Sequence, residues 1–495
     1  MRLPFLPLLL LPLSSCQAPP EASSDLAPTE ARDAPSASTQ VPDEVPTPRD
    51  VIFLTIDTLR FDHVSSQHTE SPAKTPHIDA LAQQGLSFTQ TYAPVSVTGP
   101  SFITLFTGLF PRTHGALMNV FRGGNELDAS FETLAERLKE TGFSTGAFVS
   151  GFTLRPELGL DQGFDVYDHS GKASRRPGKD TAKAAKKWLG ALEEDERAFL
   201  WFHTYDAHGP WDQVSTPKTH DEWDRGTRKV TKQMPRHQVI DKISDPDFYE
   251  QRYARSVELA DEQIGGLVET LKTTGRYDDA LIVLTADHGE SFTERELWFG
   301  HGTSPLEEQL HVPLIVKLPA SAGAGYRSAR LTSLADVAPS VAAWLGLTAQ
   351  ADRDGRSFAK PDEPGHSRLL GESSHCKRHR AVRCTPRGSK GKEFATRTKD
   401  TTIHRVQRKR GTEWTRYDRS TDAQELLAQT VSDNDEGRLA LEEEVAWRET
   451  QTFRGLVELE TEALQPNSPH AESDPTVEAS SDQETEALRA LGYLD

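Results

Sequence analysis

Three cysteines in 495 residues cannot staple a fold together, so the chain is not a disulfide-built miniature scaffold. No apolar run approaches the ~18–20 residues needed to span a bilayer as a helix. Basic residues are also in deficit, with 56 Lys and Arg against 75 Asp and Glu, a net charge of −19. That field repels a nucleic-acid backbone and an anionic membrane surface, and excludes both as general partners. An anionic substrate would need a local positive trap. Hydrophobic residues make up 36% of the chain, a share low enough to imply that part of it is tail and not core. The remaining length accommodates one large α/β domain and a smaller one. No internal repeat is present.

The tails can be read directly. Arg2 precedes an apolar run from Leu3 to Leu13 that holds three prolines, and Leu13-Ser14-Ser15-Cys16 resembles a bacterial lipobox. The resemblance implies cleavage before Cys16, lipidation of Cys16 and, with Gln17 next, sorting to an outer membrane as a periplasmic lipoprotein of the bacterial cell envelope. A plain secretory signal with an incidental Cys16 is the alternative, and it exports the chain equally. Residues 1–15 then form a signal peptide and residues 16–49, rich in Ala, Pro, Ser, Thr, Asp and Glu, a disordered tether. A catalytic domain is expected over 50–365 and a C-terminal subdomain over 366–464. An acidic tail follows over 465–495, ending in a short amphipathic helix. In an oxidising compartment Cys376 and Cys384 could close a local disulfide loop. The cationic KRHRAVR between them makes a metal pair the weaker reading.

Three landmarks stand out in the body of the chain. Val51 to Ile56 is a turn-free apolar run suited to a strand buried on both faces, and it enters Asp57. Val97-Thr98-Gly99-Pro100-Ser101 opens an apolar helical stretch that closes at Gly108, which places Thr98 just before a helix N-terminus, where N–H groups favour an oxyanion. Ala280 to Leu284 is a second buried strand, followed by Asp287-His288-Gly289-Glu290, then Gly300-His301-Gly302 and a strand expected over His311 to Leu318. Singly these are ordinary, since strands often end in Asp and a Thr before Pro-Ser is commonly an N-cap. Jointly they converge on the crevice at the carboxyl ends of parallel strands, where open sheets bind ligands. Asp57, Asp287 and His288 make an oxygen-and-nitrogen ligand set for a divalent cation, and a Thr oxygen on that cation loses its proton more easily.

The order and spacing of IFLTIDTLRFDHV from Ile52, PAKTPHIDAL from Pro72, VTGPSFITLFTGLFPRTHG from Val97, FLWFHTYDAHGPW from Phe199, LIVLTADHGESF from Leu281, GHGTSPLEEQLHVPLIVKLP from Gly300 and LADVAPSVAAWLGL from Leu334 resemble the sulfatase family of the alkaline phosphatase superfamily. The resemblance covers nearly all of residues 50 to 350. It implies an α/β fold, with a large central mixed sheet between helices and a small C-terminal antiparallel sheet. It also implies that Asp57, Thr98, Asp287 and His288 hold a divalent cation (Ca, Mg, Mn or Zn) and that Thr98 is the nucleophile. His208 and His301 match positions that bind substrate, protonate the leaving group or hold a second metal. His203 and His311 lie in apolar runs and read as satisfied core imidazoles, and Asp206 is left open.

The departures from the family pattern are informative. Formylglycine forms from Cys or Ser in a C/S-x-P-x-R motif; here Thr98 stands at that position and Phe102 replaces the Arg. Thr58 replaces the usual second Asp. Threonine cannot become the aldehyde, which excludes the hydrated-formylglycine mechanism and shifts the expectation toward direct attack by Thr98 on a sulfate or phosphate ester. A single cation with few nearby Arg or Lys suits a monoanionic sulfate ester or phosphate diester better than a dianionic phosphate monoester. A second metal on His208 and His301 would reverse that preference. The expected substrate is a sulfated or phosphorylated glycan, lipid or small molecule. Two other readings stay open. In one, a transferase passes the phospho group to a glycan or lipid hydroxyl; in the other, the fold serves as a non-catalytic binding protein.

Overall fold

The computed structural model describes residues 41–42, 44–119, 126–171, 173–219, 222–223, 233–295, 298–373, 393–408 and 411–446, all within one compact unit. The lipidation candidate Cys16, the pair Cys376 and Cys384, and the expected terminal helix lie outside the described residues. Strands are β1 (Asp50–Ile56), β2 (Leu86–Phe88), β3 (Thr91–Tyr92), β4 (Phe143–Val149), β5 (Val166–Asp168), β6 (Arg197–Thr204), β7 (Ala280–Thr285), β8 (Leu314–Lys317), β9 (Arg327–Ser328), β10 (Thr332–Ser333), β11 (Leu369–Glu372), β12 (Glu393–Arg397), β13 (Thr401–Arg408) and β14 (Gly411–Asp418). Helices are α1 (Pro76–Gln83), α2 (Thr98–Thr107), α3 (Pro111–His114), α4 (Leu134–Glu140), α5 (Gly178–Leu189), α6 (Pro246–Thr273), α7 (Glu307–Leu310) and α8 (Val337–Trp344).

Eight strands form one mixed sheet in the order β5-β4-β6-β1-β7-β8-β2-β9, and β11 to β14 form a separate antiparallel sheet. This is the α/β architecture the sequence implies. Strand β1 lies at the centre between β6 and β7, parallel to both. Every residue of DVIFLTI is buried, which explains why Val51 to Leu54 run apolar without alternating. The helices fall into two groups, α1 and α5 each packing on α6, and α4 and α8 each packing on α2. Aromatic rings seat α2 on the sheet, with Phe106 edge-on to Trp201 at 4.7 Å and stacked on Phe53 at 5.8 Å. Among the described residues no helix is long and apolar enough to cross a membrane.

One expected strand is shorter than the apolar run suggested. It begins at Leu314, three residues past His311, because Pro313 has no N–H to give the ladder. His311 instead stacks on Phe61 at 4.0 Å, pairs with Glu307 Oε1 at 2.5 Å and approaches the Thr89 carbonyl oxygen through Nε2 at 3.1 Å. It is the satisfied imidazole the sequence led us to expect.

Glu307 also ties the small sheet to the main body. It accepts from Tyr92 at 3.2 Å and faces Arg419 and Arg397, and Arg397 is bound to Glu425 at 3.0 Å. Burial alone would raise the Glu307 carboxyl, but His311, Arg419 and Arg397 hold it down to about 2. A carboxyl lowered by folding contributes stability above its ordinary pKa near 4.5 and loses it as pH falls toward about 2. Acid unfolding followed by circular dichroism should therefore show less pH dependence between those values in Glu307→Gln than in the wild type. An unchanged slope would show that the bolt carries no such linkage.

Candidate active site

In register, Thr55 pairs with Thr285, so Asp57 and Asp287 each stand two residues beyond the same rung of adjacent parallel strands. His288 follows directly. One ligand atom from each of Asp57, Asp287 and His288 lies within 4.8 Å of the others, and all three residues are buried. Asp287 Oδ1 accepts from the backbone N–H of Thr58 at 3.0 Å and of His288 at 2.8 Å, which fixes the carboxylate. His288 Nδ1 lies 2.8 Å from the Gly289 carbonyl oxygen. A carbonyl can only accept, so Nδ1 carries the hydrogen and Nε2 presents a bare lone pair.

The remaining atoms are Asp57 Oδ1, Asp287 Oδ2 and His288 Nε2, and none of them has a hydrogen-bond partner. Three convergent buried acceptors without a donor are costly in a protein interior. A divalent cation satisfies all three at once, and the donor set of two oxygens and one imidazole suits one. Asp57 bears the cost most clearly, since burial and then the charges of Asp287 and Glu290 push its carboxyl well above the usual range.

Thr98 completes the cluster. It is the first residue of α2 and is fully buried, and its hydroxyl donates to Asp57 Oδ2 at 3.5 Å. The N-cap position belongs to the extended Val97, which makes no side-chain cap bond. Thr98 thus sits one position further into the helix than the sequence suggested, and helix capping does not explain it. Gly99 donates its N–H to Asn119 Oδ1 at 2.7 Å, and a Cβ at Gly99 would stand 2.7 Å from Leu158 Cδ1 and 3.0 Å from that same oxygen. The bond orients the Asn119 amide, whose Nδ2 is buried and unpartnered beside the Thr98–Gly99 peptide.

Two further imidazoles line up behind His288. The His301 ring is 4.4 Å from that of His288 and 5.1 Å from that of His208. His208 stacks on Tyr205 at 4.2 Å, donates Nδ1–H to the Gly209 carbonyl at 2.6 Å and leaves Nε2 unpartnered. Burial, and next the neighbouring His301, hold His208 well below the ordinary imidazole range. Burial also lowers His301 to about 4 and raises Glu290, 3.3 Å from His301 Nδ1, to about 8.

Four residues stand differently from the sequence reading, or were missed by it. His203 is not a satisfied core imidazole. Its Nδ1 bonds Thr55 Oγ1 at 3.0 Å, but Nε2 has no hydrogen-bond partner and stands 3.4 Å from Asp57 Oδ2, against the cluster of Asp57, Asp287 and His288. Asp206, left open by the sequence, is structural, as it accepts from the Gly178 N–H at 2.9 Å and from Thr204 Oγ1 at 2.9 Å. Thr58, where the family has a second Asp, spends its hydroxyl on the Ala207 carbonyl and sits at φ 55°, a strained backbone held by its bonds to Asp287 and Tyr253. Asn119 belongs to no motif. It joins the site because α2, α3 and the short segment after them fold it back onto Gly99, 20 residues earlier.

A mixed sheet between two groups of helices, with paired carboxylates, an imidazole and a hydroxyl at adjacent strand ends, defines an alkaline-phosphatase-like class of protein. The sulfatase family profile matches residues 49–347, and the chain belongs to that family. It is 24% identical over 300 residues to an ulvan-active sulfatase of Formosa agariphila, covering 55% of this chain and 57% of that one. It is 23% identical over 404 residues to the multifunctional alkaline phosphatase superfamily protein PehA of Trinickia caryophylli, covering 63% and 76%. The phosphonate monoester hydrolase of Agrobacterium radiobacter superposes with a TM-score of 0.61 at 21% identity, over 82% of this chain and 96% of that one. The chain spans less than two thirds of the length of the curated sulfatases it matches first.

Proposed function

We propose that the chain is an exported, metal-dependent hydrolase that cleaves sulfate esters or phosphate diesters through a covalent ester on Thr98. The observation that carries this reading is the Thr98 hydroxyl, buried and bonded to Asp57 beside three unpartnered ligand atoms. Relatives named for sulfatase, multifunctional and phosphonate monoester hydrolase activities support an anionic ester as substrate.

A divalent cation on Asp57, Asp287 and His288, with Thr98, supplies Lewis acidity that eases hydroxyl deprotonation and offsets charge on the non-bridging substrate oxygens. The Thr98 proton already faces the Asp57 carboxylate, and the freed oxygen attacks sulfur or phosphorus in line with the leaving group. Asn119 Nδ2–H, left without a partner in the site, receives an equatorial oxygen. An imidazole of the His208 and His301 pair protonates the departing oxygen, then deprotonates the water that releases Thr98. With Phe102 in place of an arginine, the described residues bring little cationic side-chain charge to the ester, which favours a monoanionic group. Cys16 would tether the mature chain to the membrane, with 50–365 as the catalytic domain and 366–464 as the subdomain carrying the small sheet. Wild-type protein recovered unlipidated in the soluble periplasmic fraction would contradict the tether.

The test is a panel of aryl sulfate, phosphate monoester, phosphate diester and phosphonate substrates, assayed after chelation and after add-back of Ca, Mg, Mn or Zn. Turnover should favour a monoanionic ester, fall by about 100-fold or more on chelation and return with one of the metals. On the best substrate, Asn119→Ala should lower kcat by about 100-fold with an unchanged thermal transition. Full activity in chelator, or a phosphate monoester as the best substrate, would sink the proposal.

A further inference from the structure

The imidazoles of His208, His288 and His301 are anchored in two different ways. His288 and His208 each give Nδ1–H to the backbone carbonyl of the following glycine, which fixes a tautomer but offers a positive ring no counter-charge. His301 Nδ1 lies instead 3.3 Å from a carboxylate oxygen, Glu290 Oε2. Glu290 is fully buried, and its Oε1 has no hydrogen-bond partner. The neighbouring Arg60 does not hydrogen-bond this carboxylate. It donates to the Glu290 backbone carbonyl at 2.9 Å and spends its other N–H groups on Glu294 and Asp62. A glutamine of the same shape would be cheaper to bury, so the acid at this position calls for a chemical reason.

The local frame is built to bring this pair together. Ser291 and Gly300 form an antiparallel bridge, and Phe299 N–H donates to the Phe292 carbonyl at 3.2 Å, so Glu290 and His301 stand just outside the closed end of a loop. Buried Gln309 clamps both sides, donating to Ser291 Oγ at 2.6 Å and to the Gly300 carbonyl at 3.2 Å, and accepting from the N–H groups of Thr303 and Ser304. Gly289 gives its N–H to the Gln309 carbonyl at 2.8 Å, and a Cβ there would meet the Glu308 carbonyl oxygen at 2.4 Å. Phe299, held at φ 50°, is packed against Trp211, Tyr249 and Phe292, so the strained residue is pinned on several sides.

We infer that Glu290 is a positioning residue that holds His301, and not His208, as the imidazole that exchanges a proton with the leaving group; this rests on the ester-hydrolase reading above. With Nδ1 occupied by Glu290, Nε2 is the ring atom that meets substrate. As the bond from sulfur or phosphorus to the leaving oxygen breaks, that oxygen takes the Nε2 proton, and the N–H electron pair stays on Nε2. Water then returns a proton to Nε2 as its oxygen displaces Thr98.

The test compares kcat for Glu290→Gln, His301→Gln and the double variant on esters that range from dinitrophenyl to alkyl leaving groups. Both single variants should lose about 100-fold more on the alkyl ester than on the dinitrophenyl ester, and the double variant should lose no more than His301→Gln alone. An equal loss across the series, or multiplied losses in the double variant, would overturn the inference and leave the hydrolase standing. A second measurement is independent of turnover. Histidine-selective 15N NMR should show a downfield Nδ1–H proton that vanishes in His301→Gln and moves upfield in Glu290→Gln. If it does not move in Glu290→Gln, the pair is refuted whatever the reaction proves to be.

Discussion

Replacing Thr98 by alanine is expected to abolish turnover, by several orders of magnitude, in a protein that remains folded. The two roles open to this residue predict different results. An N-cap threonine would cost about 1 kcal/mol of stability and leave the chemistry intact. Thr98 has no such role to lose, since Val97 occupies the cap and the Thr98 hydroxyl points at Asp57 instead of at its own helix. On the proposed mechanism, removing the hydroxyl therefore removes the attacking oxygen and leaves the carboxylates and imidazoles in place. Thr98→Ser, which keeps the oxygen, should retain measurable turnover. Equal inactivity of the two variants would point to a packing defect, which thermal unfolding would reveal.

Asp287→Asn should lower metal affinity by about 100-fold or more and eliminate turnover at ordinary metal concentrations. The substitution spares the scaffold, because an amide oxygen can still accept from the N–H groups of Thr58 and His288 where Oδ1 now does. What changes is the other side of the group. There the unpartnered Oδ2 lone pairs become an N–H donor facing Asp57, and one negative charge is lost. Titration of chelated protein with each metal reads the affinity directly, and recovery of activity at high metal would separate weakened binding from a destroyed site. Wild-type affinity in the variant would place the cation elsewhere.

The legible part of this molecule is the part that sequence periodicity and short spacing can encode. Val51–Ile56 and Ala280–Leu284 announce buried central strands because parallel strands covered on both faces need unbroken apolar runs. The residues following them mark the ligand positions, since strand ends in such sheets are where side chains turn toward a crevice. What was hidden depends on register and loop closure. His203 looks like core in a run of FLWFHT, and only its pairing opposite Thr55 in the β1–β6 register brings its ring against Asp57. Asn119 returns to Gly99 only at the end of the irregular segment that follows α3, and Glu290 stands in the shadow of the Asp287-His288 pair it follows. Thr98 lies one residue further into α2 than its Pro-Ser context suggests, because Val97, extended at φ −146° and ψ 147°, takes the cap without offering a side-chain oxygen.

Trapping the covalent ester tests the account most directly. Wild-type enzyme mixed with its fastest-leaving ester, quenched in acid within the first turnover and digested, should yield a peptide containing Thr98 that carries the mass of one phosphoryl or sulfonyl group. That adduct should be absent from Thr98→Ala and should accumulate when the imidazole that activates water is removed in His301→Gln. An unmodified Thr98 peptide at every quench time, together with near-normal turnover by folded Thr98→Ala, would contradict the account and assign the attack to water at the Asp57, Asp287 and His288 site.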